Sequence, residues 1–249
     1  MKKLSLDSVT LCICETRHHE LARLAVEDSI RNIDFCEILI CSNRELAITE
    51  PYRFEKIPDF ASQEEFGLWM VLELPKLLKT PYMLQIQYDS WIISPRMWRN
   101  DFLNYDYIGP PWGWHQDGFN VGCGGFMLIS QALALFISEN IKLIPVTMPT
   151  DSIICRQNRL SYERAGFRWA PSDVALDFGF ERTGFRGTHF HFGFHGIFNW
   201  SLVLDSRGLA ERISLCAEYH NQKGLKEIFD AFGQYLTSSI ISESKNFKY

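Results

Sequence analysis

The sequence predicts an α/β protein with a mostly parallel sheet flanked by helices. Residues 9–14 and 38–41 are short apolar runs typical of buried strands, and residues 19–33 between them have helical spacing. Strand, helix and strand in this order begin a parallel α/β sheet. The 249 residues, 46% of them hydrophobic, are enough to bury one such core.

The next elements follow from capping and breaking signals. Ser62 and Glu65 are spaced as a capping box, which opens a helix, and Pro75 is expected to kink or end it. Residues 82–86 then form another buried strand. Further on, residues 107–109 are a short strand.

Polar residues follow two of these strands and form a candidate ligand rim. Glu15 and Arg17 come after the first strand, and Gln87 and Asp89 come after residues 82–86. Ligands of open α/β sheets bind at the carboxyl ends of the strands. Asp89 could therefore bind a divalent cation, although a turn or helix-capping aspartate has the same position.

Glycines dominate the segment after the tryptophans Trp112 and Trp114. Three of the four residues 122–125 are glycine, including Gly124 and Gly125, and this lets a backbone approach a ligand or turn sharply. Ser130 is expected to cap a helix over residues 131–138.

Asp151 is a second candidate for chemistry. Thr150 is expected to cap a helix that starts at Asp151 and runs towards residue 159. A carboxylate held there can act as a general base, and helix capping is the alternative.

Three histidines raise a different possibility. His189, His191 and His195 share parity, so an extended strand would place them on one face, as in a zinc hydrolase. Gly193 and Gly196 predict turns instead. We expect His189 and His191 to pack among aromatic rings and His195 to be a single metal or phosphate ligand.

Composition excludes other classes. The net charge is −5 without a long basic run, which argues against nucleic-acid binding. The seven cysteines contain no C-x-x-C pair, so we expect neither a disulfide framework nor a cysteine zinc site. Free cysteines indicate a reducing, cytoplasmic location. Asp7 interrupts any signal peptide, and no stretch of 18 apolar residues exists for a membrane span.

Five stretches, in order across roughly residues 9–200, resemble a bacterial domain family of GT-A-like glycosyltransferases that is found with surface-polysaccharide genes. They are residues 86–92 (IQYDSWI), 105–112 (YDYIGPPW), 121–128 (VGCGGFML), 151–154 (DSII) and 192–196 (FGFHG).

The resemblance implies a role for each position. Gln87 to Asp89 stand where GT-A enzymes carry Asp-x-Asp, and His195 resembles the late histidine that completes metal coordination. Gly124 and Gly125 stand where the donor sugar and acceptor are enclosed, and Asp151 resembles the base of inverting members. Two departures are evident, since Gln87 replaces the first aspartate and Thr150 replaces the acid before Asp151.

The resemblance thus implies a hexosyltransferase that uses a nucleotide sugar in surface-polysaccharide or lipopolysaccharide synthesis. A UDP-sugar is the first donor to be expected. Asp89 and His195 would bind Mn²⁺ or Mg²⁺, Glu15 and Arg17 would line the nucleotide site, and Trp112 and Trp114 would face the acceptor. The alternatives are a metal-dependent hydrolase and a non-catalytic nucleotide-sugar-binding module of the same fold.

The C-terminal part is expected to be a helical extension. Residues 1–205 would form the catalytic domain and residues 206–249 the extension, which carries an apolar stripe of Leu225, Ile228, Phe229, Phe232 and Leu236. We expect the stripe to pack on the domain or a second subunit. The alternative is contact with the inner membrane surface, where a lipid-linked acceptor would lie.

Overall fold

A computed structural model describes residues 3–140, 149–182 and 184–219. The first half of the sheet consists of three parallel strands, β1 (Leu4–Cys14), β2 (Ile33–Ser42) and β3 (Arg53–Lys56), and the helix α1 (His19–Ile30) connects β1 to β2. β1 pairs with β2 in parallel, and β2 pairs with β3 in parallel. The predicted strand–helix–strand start is confirmed, with strands longer at their amino ends than the apolar runs indicated.

The second half of the sheet changes direction. Its elements are α2 (Gln63–Leu72), α3 (Leu74–Leu77), β4 (Tyr82–Ile86), β5 (Tyr107–Ile108) and β6 (Phe126–Ser130). The six strands lie in the order β3-β2-β1-β4-β6-β5. β4 is parallel to β1, whereas β6 is antiparallel to both β4 and β5.

Short elements follow β6. The helices are α4 (Gln131–Asn140), α5 (Thr150–Ser152), a π-helical turn (Ile153–Gln157), α6 (Arg159–Arg164), α7 (Ser172–Phe178), α8 (Trp200–Val203) and α9 (Ser206–Tyr219). Two short strands, β7 (Gly179–Phe180) and β8 (Gly193–Phe194), pair in parallel as a separate small sheet. 3₁₀ turns occupy Pro95–Met97, Asn100–Asn104, Thr188–Phe190 and Ile197–Asn199.

Two of the predicted helix starts are confirmed and one is wrong. The Ser62 hydroxyl accepts a hydrogen bond from the Glu65 N–H at 3.2 Å, and the Ser130 hydroxyl accepts one from Leu133 N–H at 3.1 Å. Thr150 does not cap the helix at Asp151, because Pro149 occupies the capping position and Thr150 is already helical. The helical segment does run towards residue 159, as predicted, but it becomes a π-helical turn over Ile153–Gln157.

The core lies on both faces of the sheet, and the carboxyl half of β1 is buried over its whole length. The cysteines are free thiols and, apart from the exposed Cys36, are buried, as expected. Three of them, Cys12, Cys14 and Cys41, lie on β1 and β2 with their sulfur atoms within 4.8 Å of one another.

The chain divides into two compact units, Met1–Gly196 and Ile197–Tyr249. The second unit contains α8 and α9, and in it Trp200 and Cys216 are buried. The predicted apolar stripe from Leu225 to Leu236 lies outside the described residues, so the extension over residues 206–249 stays a prediction. Within the described part, no helix is long and apolar enough to cross a bilayer.

Candidate active site

The carboxyl ends of β1 and β4 lie side by side because the two strands pair in parallel up to Ile13 and Ile86. The loops that follow them are also in contact, since the rings of His18 and Tyr88 have centroids 4.2 Å apart. The rim predicted from the polar strand ends therefore exists as one continuous edge.

On the β1 side of this edge, the Glu15 carboxylate is engaged in local structure. The Glu15 carboxylate accepts hydrogen bonds from the N–H groups of Arg17, at 2.7 Å, and His18, at 3.1 Å. It thereby shapes the turn into α1. The Arg17 side chain is exposed and extends from this turn.

On the β4 side, Asp89 meets His195. A bridge between Ile92 and Gly193 and a hydrogen bond from the Gly196 N–H to the Asp89 carbonyl, at 3.1 Å, bring the late segment against the strand end. The Nε2 atom of His195 lies 3.7 Å from Asp89 Oδ1 and 3.2 Å from Gln87 Oε1. The structure thus brings together the two residues predicted as metal ligands.

Two further residues surround His195 and were missed from the sequence. Glu181 Oε1 lies 3.1 Å from His195 Nδ1, and ligand atoms of Cys123, Glu181 and His195 lie within 4.8 Å of one another. Glu181 follows β7 directly, just as Gln87 follows β4. Its position at a strand end could have identified it, but β7 has only two residues, too few to show the hydrophobic periodicity by which a strand is recognised in the sequence.

These neighbours hold a proton on His195. Burial acts to lower the pKa of His195, but its interactions with Cys123, Asp89 and Glu181 outweigh burial and place the pKa well above the usual 6.5. Burial raises the pKa of the Cys123 thiol.

The residues present fit a divalent cation. The Asp89 Oδ1 atom is buried and has no hydrogen-bond partner among the described residues, so it has a lone pair available to a cation beside the imidazole. A carboxylate and an imidazole are ligands that Mn²⁺ accepts. Because a ligating imidazole must be neutral, a cation at this position would displace the His195 proton.

The glycine-rich segment makes room mainly for protein side chains. A Cβ atom at Gly122 would lie 2.1 Å from the Trp112 ring, and one at Gly125 would lie 2.1 Å from the His195 ring. Gly124 is less crowded, since its Cβ would meet Asp151 Cβ at 3.5 Å. We expected these glycines to let a ligand approach the backbone. Two of the three, Gly122 and Gly125, instead make room for the rings of Trp112 and His195.

Asp151 is attached to this segment. Its Oδ2 atom accepts a hydrogen bond from Gly124 N–H at 3.2 Å, and its Oδ1 atom accepts one from Ser152 N–H at 2.7 Å. On the other side of the segment, the Ser90 hydroxyl donates to the Gly125 carbonyl at 2.6 Å. The Gly124–Gly125 backbone therefore links the predicted base to the strand end that carries Asp89.

The tryptophans differ in exposure. Trp112 is buried against Gly122, whereas Trp114 is 50% exposed, and their rings are stacked with centroids 6.3 Å apart. Trp112 is thus a packing residue of its loop. Trp114 has the exposure that contact with an acceptor requires.

The three histidines do not form one cluster. His189 is exposed in a 3₁₀ turn, and His191 is buried with both ring nitrogens bonded to backbone groups, of Leu176 at 2.6 Å and Arg186 at 3.0 Å. Burial lowers the pKa of His191. The three-histidine hydrolase site is therefore wrong, because the segment turns at Thr188–Phe190 instead of continuing as a strand.

A cavity of about 430 Å³ opens at the same edge. Its lining includes five of the predicted site residues: Gln87, Gly124, Gly125, Asp151 and His195. The other predicted site residues do not line it: Glu15, Arg17, Asp89, Trp112 and Trp114.

This architecture is a glycosyltransferase-like fold, which confirms the predicted fold class. The chain is similar to a solved structure described as "Crystal structure of a glycosyltransferase involved in the glycosylation of the major capsid of PBCV-1", with a TM-score of 0.50 and 10% identity. The similarity covers 75% of this chain and 91% of that one. At this identity it concerns the fold.

The chain belongs to the family described as "Protein of unknown function (DUF5672)", whose model matches residues 52–195. That range includes β4, β6 and every predicted site residue except Glu15 and Arg17. No curated protein matches this chain.

Proposed function

We propose that this protein is a glycosyltransferase that moves a hexosyl group from a nucleotide sugar, with UDP as the first choice, to a hydroxyl of a glycan. The observation that carries the proposal is the convergence of Asp89, His195 and Asp151 around the Gly124–Gly125 backbone at the carboxyl edge of the sheet. The fold likeness supports the class of enzyme.

In this proposal Asp89 and His195 hold Mn²⁺ or Mg²⁺. The cation would neutralise charge on the two phosphates as the nucleoside diphosphate leaves. Gln87 contributes a neutral oxygen where an aspartate would contribute a charge, so Glu181, next to His195, supplies the additional negative charge of the site. Arg17 and Glu15, on the neighbouring strand end, line the nucleotide.

Asp151 is the proposed base. It takes the proton from the acceptor hydroxyl while the hydroxyl oxygen forms its bond to the anomeric carbon and the bond to the diphosphate breaks. Attack opposite the leaving group inverts the configuration. The N–H groups of Gly124 and Ser152 hold the carboxylate in place, and Trp114 offers a flat ring to the acceptor sugar.

A second candidate is a binding module that holds a nucleotide sugar without turnover. The specific observation in its favour is the contact of 3.2 Å between Gln87 Oε1 and His195 Nε2, which occupies the imidazole edge on the Asp89 side. The assignment to surface-polysaccharide or lipopolysaccharide synthesis, and a lipid-linked acceptor at the inner membrane face, follow from the family resemblance and form part of the proposal.

The test is an assay of product formation with a panel of UDP- and GDP-hexoses and mixed glycoside acceptors, in Mn²⁺ and in EDTA. Mass spectrometry of the acceptor would show one added hexose with at least one donor. A donor that binds but gives neither transfer nor release of the diphosphate would establish the binding module. Absence of binding by every donor would reject both candidates.

A further inference from the structure

The cavity beside the candidate active site extends away from it under the helices. Met83, Gln85 and Gln87 alternate on one face of the end of β4 and the residue after it, and all three line the cavity. The cavity therefore follows the chain over residues 83–87, about 13 Å for four steps of about 3.3 Å. Beyond the site residues, the lining is mainly apolar and comes from α2, α4, β4, β6 and the π-helical turn: Phe66, Met70, Val71, Met83, Met127, Ile129, Ile137 and Ile154.

Two buried polar groups within this apolar lining lack ordinary partners. Gln85 is 4% exposed; its Nε2 donates to the Gly124 carbonyl at 2.9 Å, while its Oε1 has no hydrogen-bond partner among the described residues. The buried Tyr107 hydroxyl also has no hydrogen-bond partner of normal geometry among the described residues, and the Cys155 thiol beside it is a weak acceptor. Both side chains line the cavity.

Such a lining selects the chemistry of an occupant. A volume of about 430 Å³ is within the range of roughly 300–1,000 Å³ that pockets for small ligands occupy. A wholly polar sugar would leave its hydroxyls against methionine and isoleucine side chains without partners, which is unfavourable. A glycoside whose apolar group lies among these side chains and whose sugar donates a hydroxyl hydrogen to Gln85 Oε1 would satisfy both the apolar walls and the unpaired oxygen.

We propose that the acceptor is a glycoside with an apolar alkyl or aryl aglycone, which enters this cavity while the sugar lies at its mouth beside Asp151. This inference rests on the proposed function, because Asp151 lines the same cavity as the apolar side chains. It specifies the acceptor class, which the fold likeness leaves open.

The experiment compares octyl β-D-glucoside, below its micelle concentration, with methyl β-D-glucoside by calorimetric titration of the full chain. The two probes share the sugar and differ in the alkyl chain. We expect the octyl glycoside to bind at least about ten-fold more tightly, because each buried methylene group adds affinity. Equal affinity for the two probes would overturn the inference.

Cavity-filling variants locate the binding. Met70→Trp and, independently, Ile137→Trp add volume to two walls and should weaken octyl glycoside binding by about ten-fold or more. Leu68→Trp is the matched control, since Leu68 is on α2 but does not line the cavity. Unchanged octyl glycoside binding in both filled variants would show that the probe binds elsewhere.

UDP binding in Mn²⁺, measured on the same samples, separates this inference from the proposed function and reports correct folding. If the protein binds UDP and transfers to methyl glucoside without preferring the octyl glycoside, the apolar acceptor is rejected and the proposed transferase function stands. Octyl glycoside binding without UDP binding or transfer would reject the transferase and the acceptor role with it.

Discussion

In the β1–β2–β3 half of the sheet, polar groups at the carboxyl edge are bonded to their own surroundings, whereas in the β4–β6 half several are not. Glu15 bonds to two N–H groups of the following turn, and Asn43 bonds to His19 at 2.6 Å and to the Thr16 carbonyl at 3.1 Å. By contrast, the buried Asp89 Oδ1 and Gln85 Oε1 atoms lack hydrogen-bond partners among the described residues. The first half therefore mainly shapes the edge along which a nucleotide would lie, and the second half is where a ligand can add the most hydrogen bonds.

The largest effect should come from Asp151→Asn. Removing a general base costs about 10²–10⁴-fold in rate, while an asparagine keeps the oxygen that accepts from Gly124 N–H. Transfer should fall by that factor with donor affinity unchanged, as steady-state kinetics and UDP titration would show. Near-normal turnover would show that another residue is the base.

The next effect contrasts two neighbouring glycines. In Gly125→Ala the new Cβ would lie 2.1 Å from the His195 ring, so the ring must move, at a cost of about 1–3 kcal/mol of stability. The variant should also lose Mn²⁺-dependent UDP binding.

Gly124→Ala is its control, because there the Cβ meets Asp151 at an ordinary 3.5 Å. It should keep the wild-type melting temperature within a few degrees. Equal destabilisation of the two variants would show that the His195 packing is not the cause.

These contrasts also explain what the sequence predicts well. β1, α1 and β2 follow from local patterns, since the two strands bury continuous runs at their carboxyl ends and the helix buries residues at helical spacing. The Asp89–His195 contact was inferred from a resemblance and not from periodicity. Glu181 was missed because it reaches the site through β7 and β8, which have two residues each and pair across a turn-rich segment.

The glycines and histidines show the same limit. Gly125 was interpreted as space for a ligand, but what fills that space is His195, which is distant in sequence. His189 and His191 share parity with His195, yet parity places side chains on one face only in a continuous strand. The 3₁₀ turn at Thr188–Phe190 removes that condition.

A smaller effect concerns the β1–β2–β3 half. Arg53 donates to both carboxylate oxygens of Glu37, at 2.7 and 3.0 Å, and this pairing lowers the pKa of Glu37. Glu37→Gln should cost about 1–2 kcal/mol at pH 7, discounted for partial exposure. Donor binding should not change.

The pH dependence of this pair has a definite sign. Because the folded pKa is depressed, the ion pair stabilises the protein above the unfolded glutamate pKa of about 4.3 and loses its effect as pH falls through the folded pKa. Urea unfolding at pH 7 and at progressively lower pH should show the gap between wild type and Glu37→Gln closing. A gap that widens on acidification would contradict the assignment.

The smallest effect is expected at Glu15. Glu15→Ala removes a carboxylate that accepts from two N–H groups at a partly exposed turn, so it should destabilise by less than about 1 kcal/mol. Thermal unfolding would measure this cost. If Glu15→Ala reduced UDP affinity as much as a substitution at Asp89, both halves of the sheet edge would contribute equally to UDP binding. That result would contradict the difference between the halves.

Calorimetric titration of UDP, with and without Mn²⁺, into wild type and Asp89→Asn tests the central claim most directly. Asp89 has a buried oxygen without a hydrogen-bond partner among the described residues, 3.7 Å from His195 Nε2, so its charge should contribute to UDP binding mainly when the cation is present. Wild type should bind UDP more tightly in Mn²⁺, and Asp89→Asn should lose that increment while keeping the Mn²⁺-free affinity. The same Mn²⁺ increment in both proteins, or no UDP binding by wild type, would contradict the account.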